Sequence, residues 1–173
     1  MDDTPEVLFD GKLFRVVRKS FSTSWGQPLV REWVDHPGAV TVVPMLDGDR
    51  VCLIRNRRHA VGKTLIELPA GTRDHGEDPA ETARRELIEE TGFVPGRIEH
   101  VTAFFMSPGI LNERMELYRA TDLVEGPPAR ETGEEIENLI VTWDEAMAMI
   151  RRGEILDAKT LTGLLLCQPD RRQ

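Results

Sequence analysis

Gly71-Thr72-Arg73-Asp74-His75-Gly76-Glu77-Asp78-Pro79-Ala80-Glu81-Thr82-Ala83-Arg84-Arg85-Glu86-Leu87-Ile88-Glu89-Glu90-Thr91-Gly92-Phe93 is the stretch of this 173-residue chain from which the fold is read. A glycine-containing loop leads into a helix. Asp78 stands where an N-cap belongs, Pro79 takes the first helical position, and Glu81 completes a capping box. Gly92 suits a left-handed C-terminal cap. Ala80, Ala83 and Leu87 line one face of this helix, and Glu86, Glu89 and Glu90 crowd within about 100° of its circumference. Such a helix is poorly built to stand alone. Like charges four residues apart destabilise it by a few tenths of a kcal/mol, and acids near its C-terminus face the negative pole of the macrodipole. A solvated acidic face, partly offset by Arg84 and Arg85, is the plain reading. The other is chemical: carboxylates converging on one face behind a glycine loop are how hard divalent cations such as Mg²⁺ are held.

Outward from this helix the pattern is mostly β. Val7-Leu8-Phe9, Phe14 to Arg18 and Val30 to Val34 are short β-rich runs separated by the turn signals Asp10-Gly11 and Gly26-Gln27-Pro28. His36-Pro37-Gly38 marks a break. The runs Ala39–Leu46 and Arg50–Arg55, joined by Asp47-Gly48-Asp49, predict a buried hairpin. Leu65 to Ala70 predicts a short strand ended by Pro69 and Gly71. Strands are expected at about 97–106 and 114–122, then a Pro-, Gly- and Glu-rich loop from Glu125 to Glu135, then a strand at 136–142. Thr142 and Glu145 box the start of a helix ended by Gly153, and a last helix begins near Asp157. Strands outnumber helices and interleave irregularly, which predicts an α+β fold.

Composition bounds the function. The 173 residues suit one ordinary domain, and at that size roughly 70% of the unfolded surface can be buried without disulfide or metal. Lys and Arg number 22 against 30 Asp and Glu, a net charge of −8. That argues against a nucleic-acid footprint and a polybasic membrane anchor, but not against a small anionic substrate, because a bound cation inverts the local field. Cys52 and Cys167 sit in apolar runs with no metal spacing and are expected to be core residues. The acidic start, Met1 to Glu6, lacks the features of a secretory signal, and no apolar run could span a bilayer. The expected compartment is the cytoplasm.

The helix and its loop resemble the Nudix box at all nine specified positions between Gly71 and Phe93. The resemblance implies an α/β/α sandwich with a mixed sheet over residues 38–168, followed by a short tail at 169–173. An antiparallel strand region at 1–37 precedes it. It implies hydrolysis of a nucleoside diphosphate linked to another moiety, with Mg²⁺ (or Mn²⁺) as cofactor. Glu86 and Glu90 are the implied principal metal ligands, with Glu89 as a third and the Ala70 carbonyl as a further one. Arg85 resembles the arginine that pairs with Glu77 and orients the catalytic helix.

Outside the box, Glu67-Leu68-Pro69-Ala70-Gly71, His36 to Val40 and Ser107-Pro108-Gly109 resemble the ADP-ribose pyrophosphatase branch. Pro108, sixteen residues past Gly92, is the mark of that branch. Arg58 and Glu113 fall where it carries substrate-binding residues. Its general base comes from an acidic loop matching Glu131 to Glu137, with Glu134 favoured and Glu135 next. In this branch the N-terminal strands exchange between two subunits of a homodimer, and an aromatic, here Trp25 or Phe21, stacks on adenine. The implied reaction converts ADP-ribose to AMP and ribose 5-phosphate. The alternatives are another nucleotide sugar such as GDP-mannose, a mutagenic-nucleotide triphosphatase, and, in a different class, a non-catalytic Nudix-like ligand sensor.

Overall fold

The computed structural model describes residues 4–130, 133 and 135–169. Along the chain run β1 (Glu6–Asp10), β2 (Arg15–Phe21), β3 (Leu29–Asp35), β4 (Ala39–Pro44), β5 (Arg50–Arg58), β6 (Lys63–Glu67) and β7 (Ala70–Thr72). Then come α1 (Pro79–Thr91), β8 (Phe93–Phe105), β9 (Arg114–Glu125), β10 (Ile136–Thr142), α2 (Trp143–Arg151) and α3 (Ala158–Leu166). The result is the mixed α+β architecture that the residue pattern predicts.

Three sheets form. The central one has the order β7-β4-β9-β8, with β4 parallel to β9 and its other neighbours antiparallel. A second has the order β10-β5-β6, and the third, β1-β2-β3, is built wholly from the N-terminal region. The expected hairpin of residues 39–46 with 50–55 does not form as one sheet. Asp47 does make a turn there, its Oδ1 accepting from the backbone N–H groups of Asp49 and Arg50 at 3.0 and 2.8 Å. Past a single Met45–Val51 bridge, β4 and β5 diverge into different sheets. The reason lies in β4 itself: all six of its residues are buried, so both faces need cover, as in the middle of a layered sheet. Its two hydrogen-bonding edges are taken by β7 and β9, which leaves none for β5.

Each face of β4 meets its own core. Val40 and Val42 pack with Ala83 and Leu87 of α1, Phe93 and Tyr118. Val43 belongs to the opposite cluster with Leu53, Leu68, Leu117, Trp143 and Leu164, under α2 and α3. The helices start on side-chain caps at Asp78, Thr142 and Asp157, each worth about 1 kcal/mol. In α1 the Asp78 carboxylate accepts from the Ala80 N–H at 2.8 Å, and the Thr82 hydroxyl bonds back to the Asp78 carbonyl at 3.2 Å. The Asp78 cap is thus one-sided: Thr82 donates to its carbonyl, and among the described residues Glu81 is not seen returning a bond to its N–H. Cys52 and Cys167 are buried and unbridged.

The N-terminal sheet leans on the rest through one seam. Val34 exchanges backbone bonds with Ile110 and Asn112 at 2.9 and 3.1 Å, and the Asn112 side chain donates to Asp35 at 2.7 Å. Val17 is this sheet's one buried apolar residue, while Val7, Leu8, Phe9, Leu13, Phe14, Phe21, Trp25 and Val30 are exposed on or beside it. No helix among the described residues is long and apolar enough to cross a membrane.

Candidate active site

The fold brings α1 against the Pro69-Ala70-Gly71 segment, where the chain turns from β6 into the start of β7. The approach at Gly71 is so close that a Cβ there would lie 1.9 Å from the Glu86 carboxyl carbon. Only glycine leaves the Glu86 carboxylate where it is. On the other side of the turn, the Ala70 N–H donates to Glu90 Oε2 at 2.9 Å, and Glu90 is only 4% exposed. The carboxylates of α1 and the backbone of this turn are therefore in direct contact across one wall of a cleft.

Arg85 is the hub of the acidic face. Its Nε and Nη2 donate to the two oxygens of Glu77 at 3.2 Å each. Its Nη1 donates to Glu86 at 2.6 Å and to Glu89 at 3.2 Å. The pairing with Glu77 that the box resemblance implies is thus present. Hydrogen bonds from Arg85, assisted by the Thr82 hydroxyl and the Asp74 N–H, hold the Glu77 carboxyl down at about 2. The same partners, Glu77 first, hold the Arg85 guanidinium above its usual range.

The C-terminus of α1, where the sequence offers acids and no base, is completed from elsewhere in the chain. The orphan carbonyls of a helix end need donors. The Gly92 N–H, with φ 81° at that residue, closes on Ile88. The Ala129 N–H donates to the Glu89 carbonyl at 3.0 Å, Arg130 Nε to that of Glu90 at 2.9 Å, and Asn138 Nδ2 to that of Thr91 at 2.8 Å. Arg130 also supplies the positive charge that the negative helix pole favours. The segment running into the Glu131–Glu137 acidic loop is thereby stitched to the acidic helix.

The cleft has a volume of about 730 Å³, and its lining includes Arg58, Ala70, Arg85, Glu86, Glu89 and Glu90. Arg58 is held by a two-pronged pair to Glu67, Nε to Oε1 at 2.9 Å and Nη2 to Oε2 at 2.7 Å. The remaining candidates are disposed differently. Pro108 lines a separate apolar cleft of about 310 Å³ with Phe21, Trp33, Phe105 and Leu111. Glu113 is half-buried at the end of the 106–113 loop, where its carbonyl accepts from the Met106 N–H at 3.2 Å. Trp25 is 84% exposed in the β2–β3 turn. None of these three lines the carboxylate cleft. Glu135 is exposed, its carbonyl accepting from the Arg57 N–H at 3.3 Å. Glu134 lies outside the described residues.

Among the described residues, no three acidic, histidine or cysteine side chains are already gathered as a metal cage. The arrangement nevertheless fits a hard cation. Glu86 and Glu89 converge on one cationic nitrogen of Arg85, Glu90 borders the same cleft, and the donors are all oxygen, as Mg²⁺ or Mn²⁺ prefers.

Two participants give little signal in the sequence. Lys159 is the single charged residue of an otherwise apolar and hydroxyl-bearing helix, and it is buried against Glu67. Arg130 sits in a loop with no periodicity to mark it.

The NUDIX domain family matches residues 35–162. The chain is 34% identical over 157 residues to the ADP-ribose pyrophosphatase of Bacillus subtilis (strain 168), covering 90% of this chain and 85% of that one. It is 35% identical over 165 residues to the ADP-ribose pyrophosphatase of Mycobacterium tuberculosis (strain ATCC 25618 / H37Rv), covering 92% and 79%. A solved structure described as an ADP compounds hydrolase superposes with a TM-score of 0.82 at 25% identity, covering 94% of this chain and 89% of its own.

Proposed function

The chain belongs to the Nudix hydrolase family, and from that premise we propose that it hydrolyses the pyrophosphate bond of ADP-ribose to AMP and ribose 5-phosphate. The observation that carries the reading is the acidic wall of the cleft: Glu86, Glu89 and Glu90 beside the Ala70-Gly71 turn, with Arg58 among the cleft-lining residues. The two ADP-ribose pyrophosphatases similar to it over nine-tenths of its length support the choice of substrate.

Glu86, Glu89, Glu90 and the Ala70 carbonyl would hold Mg²⁺ or Mn²⁺. When bound, the ion neutralises the phosphoryl oxygens and acidifies a water. The protein's own part is positioning and proton handling. Arg85, fixed by Glu77, keeps the carboxylates of α1 oriented. Arg58, with Nε and Nη2 held by Glu67, offers its positive charge and the remaining Nη1 to the diphosphate. A carboxylate of the acidic loop, Glu134 or else Glu135, takes the proton of the attacking water. The stitching of residues 129–138 to the end of α1 supports that loop as the source of the base, since it ties the loop's flanks to the acidic helix.

The domain boundary at 37/38 and the homodimer are part of the same proposal. A small sheet with one buried apolar side chain and eight exposed ones on or beside it calls for a partner surface. A second copy would cover it; Phe21 already lines the Pro108 cleft of its own chain, so of the two aromatics Trp25 is the one a partner would bring toward that base-binding region. A cytoplasmic placement is likewise proposed, supported by two buried cysteines that stay unbridged.

The test is Mg²⁺-dependent phosphate release, coupled to phosphatase, across ADP-ribose, GDP-mannose, dinucleoside polyphosphates and 8-oxo-dGTP. ADP-ribose is expected to give the highest kcat/KM, with Glu86→Gln and Glu90→Gln each lowering kcat at least a hundredfold (~3 kcal/mol of barrier). GDP-mannose as the preferred substrate would refute the substrate and keep the machinery. Hydrolysis of none would make the fold a ligand sensor.

A further inference from the structure

Beneath the cleft lies a charged cluster that box and branch resemblance leave unassigned. Glu67, at the end of β6, is 1% exposed, and Lys159, in the first turn of α3, is 5% exposed. Lys159 Nζ lies 2.6 Å from Glu67 Oε2 and 2.9 Å from Asp157 Oδ2. Glu67 Oε2 is also the oxygen that accepts from Arg58 Nη2 at 2.7 Å. The cluster is locked to the catalytic turn as well. Thr160 Oγ1 donates to Asp157 Oδ2 at 2.6 Å and accepts from the Leu68 N–H at 2.7 Å, two residues before Ala70.

The charges balance: Arg58 and Lys159 against Glu67 and Asp157. Two features make the balance matter for the cleft. First, a buried ion is tolerated only with its partners, and removing one leaves an uncompensated charge. Burial alone would push the Glu67 carboxyl up, yet the Arg58 and Lys159 pairs outweigh it and hold that carboxyl below its usual range. Secondly, Arg58 is the member that reaches the cleft, its side chain 42% exposed against 1% for Glu67 and 6% for Lys159. With Lys159 removed and Asp157 kept, two negative charges, those of Glu67 and Asp157, would be left to that one guanidinium. Lys159 shares the Glu67 charge from below, so Arg58 keeps attraction for an anion above.

We propose that Lys159 is a positioning residue for substrate binding: through Glu67 it sets the orientation and net attraction of Arg58 for the substrate diphosphate, from a position that never touches substrate. This rests on the reading of Arg58 as a diphosphate contact. Deleting the Lys159 charge has two physical outcomes, and both weaken binding. Either a surplus negative charge persists beneath the cleft, or Glu67 takes up a proton and loses an acceptor for the Arg58 fork.

The experiment is steady-state ADP-ribose hydrolysis by the full chain at saturating Mg²⁺, with kcat and KM determined for four variants. Lys159→Met is expected to raise KM about fivefold with kcat within about twofold. The charge-balanced double variant Lys159→Met/Asp157→Asn, which keeps an N-cap residue at 157, is expected to recover most of that rise. Asp157→Asn alone adds net positive charge and is expected to lower KM; it decides the matter by itself should Lys159→Met not fold. Arg58→Met is expected to raise KM more than any of these. If Arg58→Met raises KM while the 157 and 159 variants leave it unchanged, the inference is overturned and the Arg58 reading stands. If Lys159→Met raises KM but the double variant recovers nothing, the effect is packing and the inference is again overturned. If Arg58→Met leaves KM unchanged, the Arg58 reading fails and takes the inference with it.

Discussion

Substituting Gly71 by alanine should separate catalysis from stability more cleanly than removing any carboxylate. A Cβ at 71 would lie 1.9 Å from the Glu86 carboxyl carbon and 2.1 and 2.3 Å from its oxygens. Ordinary contact begins at 3.4 Å, so the carboxylate must retreat by 3.4 − 1.9, or 1.5 Å. The clash is with the far end of a side chain three bonds from its backbone, and Gly71 is not among the residues with positive φ. The backbone therefore accepts alanine, and Glu86 swings aside. The stability change should be small, within about 1 kcal/mol, because the lost Arg85–Glu86 bond is offset by the reduced freedom of the unfolded chain. Catalysis should suffer far more: a misplacement of about 1 Å at a reacting centre can cost about a hundredfold. Urea unfolding and steady-state ADP-ribose hydrolysis would be measured on the same preparation. Gly76→Ala is the control, since Gly76 has φ 81° and open space around it. There alanine should cost about 1 kcal/mol of backbone strain while kcat stays within about twofold. A Gly71→Ala variant with wild-type kcat would refute the assignment of Glu86 to the reacting centre, and a loss of several kcal/mol would show that Glu86 cannot yield.

Other consequences follow from the same geometry. Glu77 titrates from 4.5 to about 2 on folding, so it contributes stability above its unfolded value that is lost as pH falls through the interval between the two. Glu77→Gln should lower stability near neutrality, where the ion pair is fully formed, and flatten the acid-unfolding curve in that interval, and an unaltered curve would deny the Arg85–Glu77 coupling. Asn138→Ala removes the donor to the Thr91 carbonyl and the acceptor for Arg130 Nη2, both at 2.8–2.9 Å. It should lower unfolding free energy by about 1–3 kcal/mol, read as a fall in the urea midpoint at constant slope. Deleting residues 1–35 should convert a dimer into a monomer with raised KM, and a truncated chain that still sediments as a dimer would reject strand exchange.

What could be read from the sequence was local. Asp78, Pro79 and Gly92 mark the ends of α1 because caps depend on neighbours within a turn, and the structure adds only that Asp78 caps Ala80 without the return bond expected of Glu81. The Asp47-Gly48-Asp49 reversal was legible for the same reason. Its consequence was not, because a turn specifies that the chain doubles back and says nothing of which sheet receives it. The partners of β4 come from residues 70–72 and 115–120, and no pattern inside 39–55 reports that those edges are filled. The site divides along the same line. The acidic face of α1 is written in one helical repeat, whereas Lys159 meets Glu67 across 92 positions. Each looks unremarkable alone, a lysine in a helix and a glutamate in a strand, and only their joint burial declares an ion cluster.

The oddity of α1, a helix whose C-terminal half works against its own stability, resolves once the donors are traced. A helix optimised for itself would place lysines at 89 and 90, satisfying the macrodipole locally and leaving no oxygen donors to face the cleft. Here the compensation is moved off that face. Arg130 reaches the Glu90 carbonyl from a loop forty residues away, while Asn138 closes Thr91 from the second sheet. Gly71 surrenders its side chain so that the turn can close on Glu86. The acidic face then holds one internal cation, Arg85, whose Nη1 already bridges Glu86 and Glu89. Stability of the helix has been delegated to tertiary contacts, and the surface so freed is a wall of carboxylates suited to a positively charged occupant.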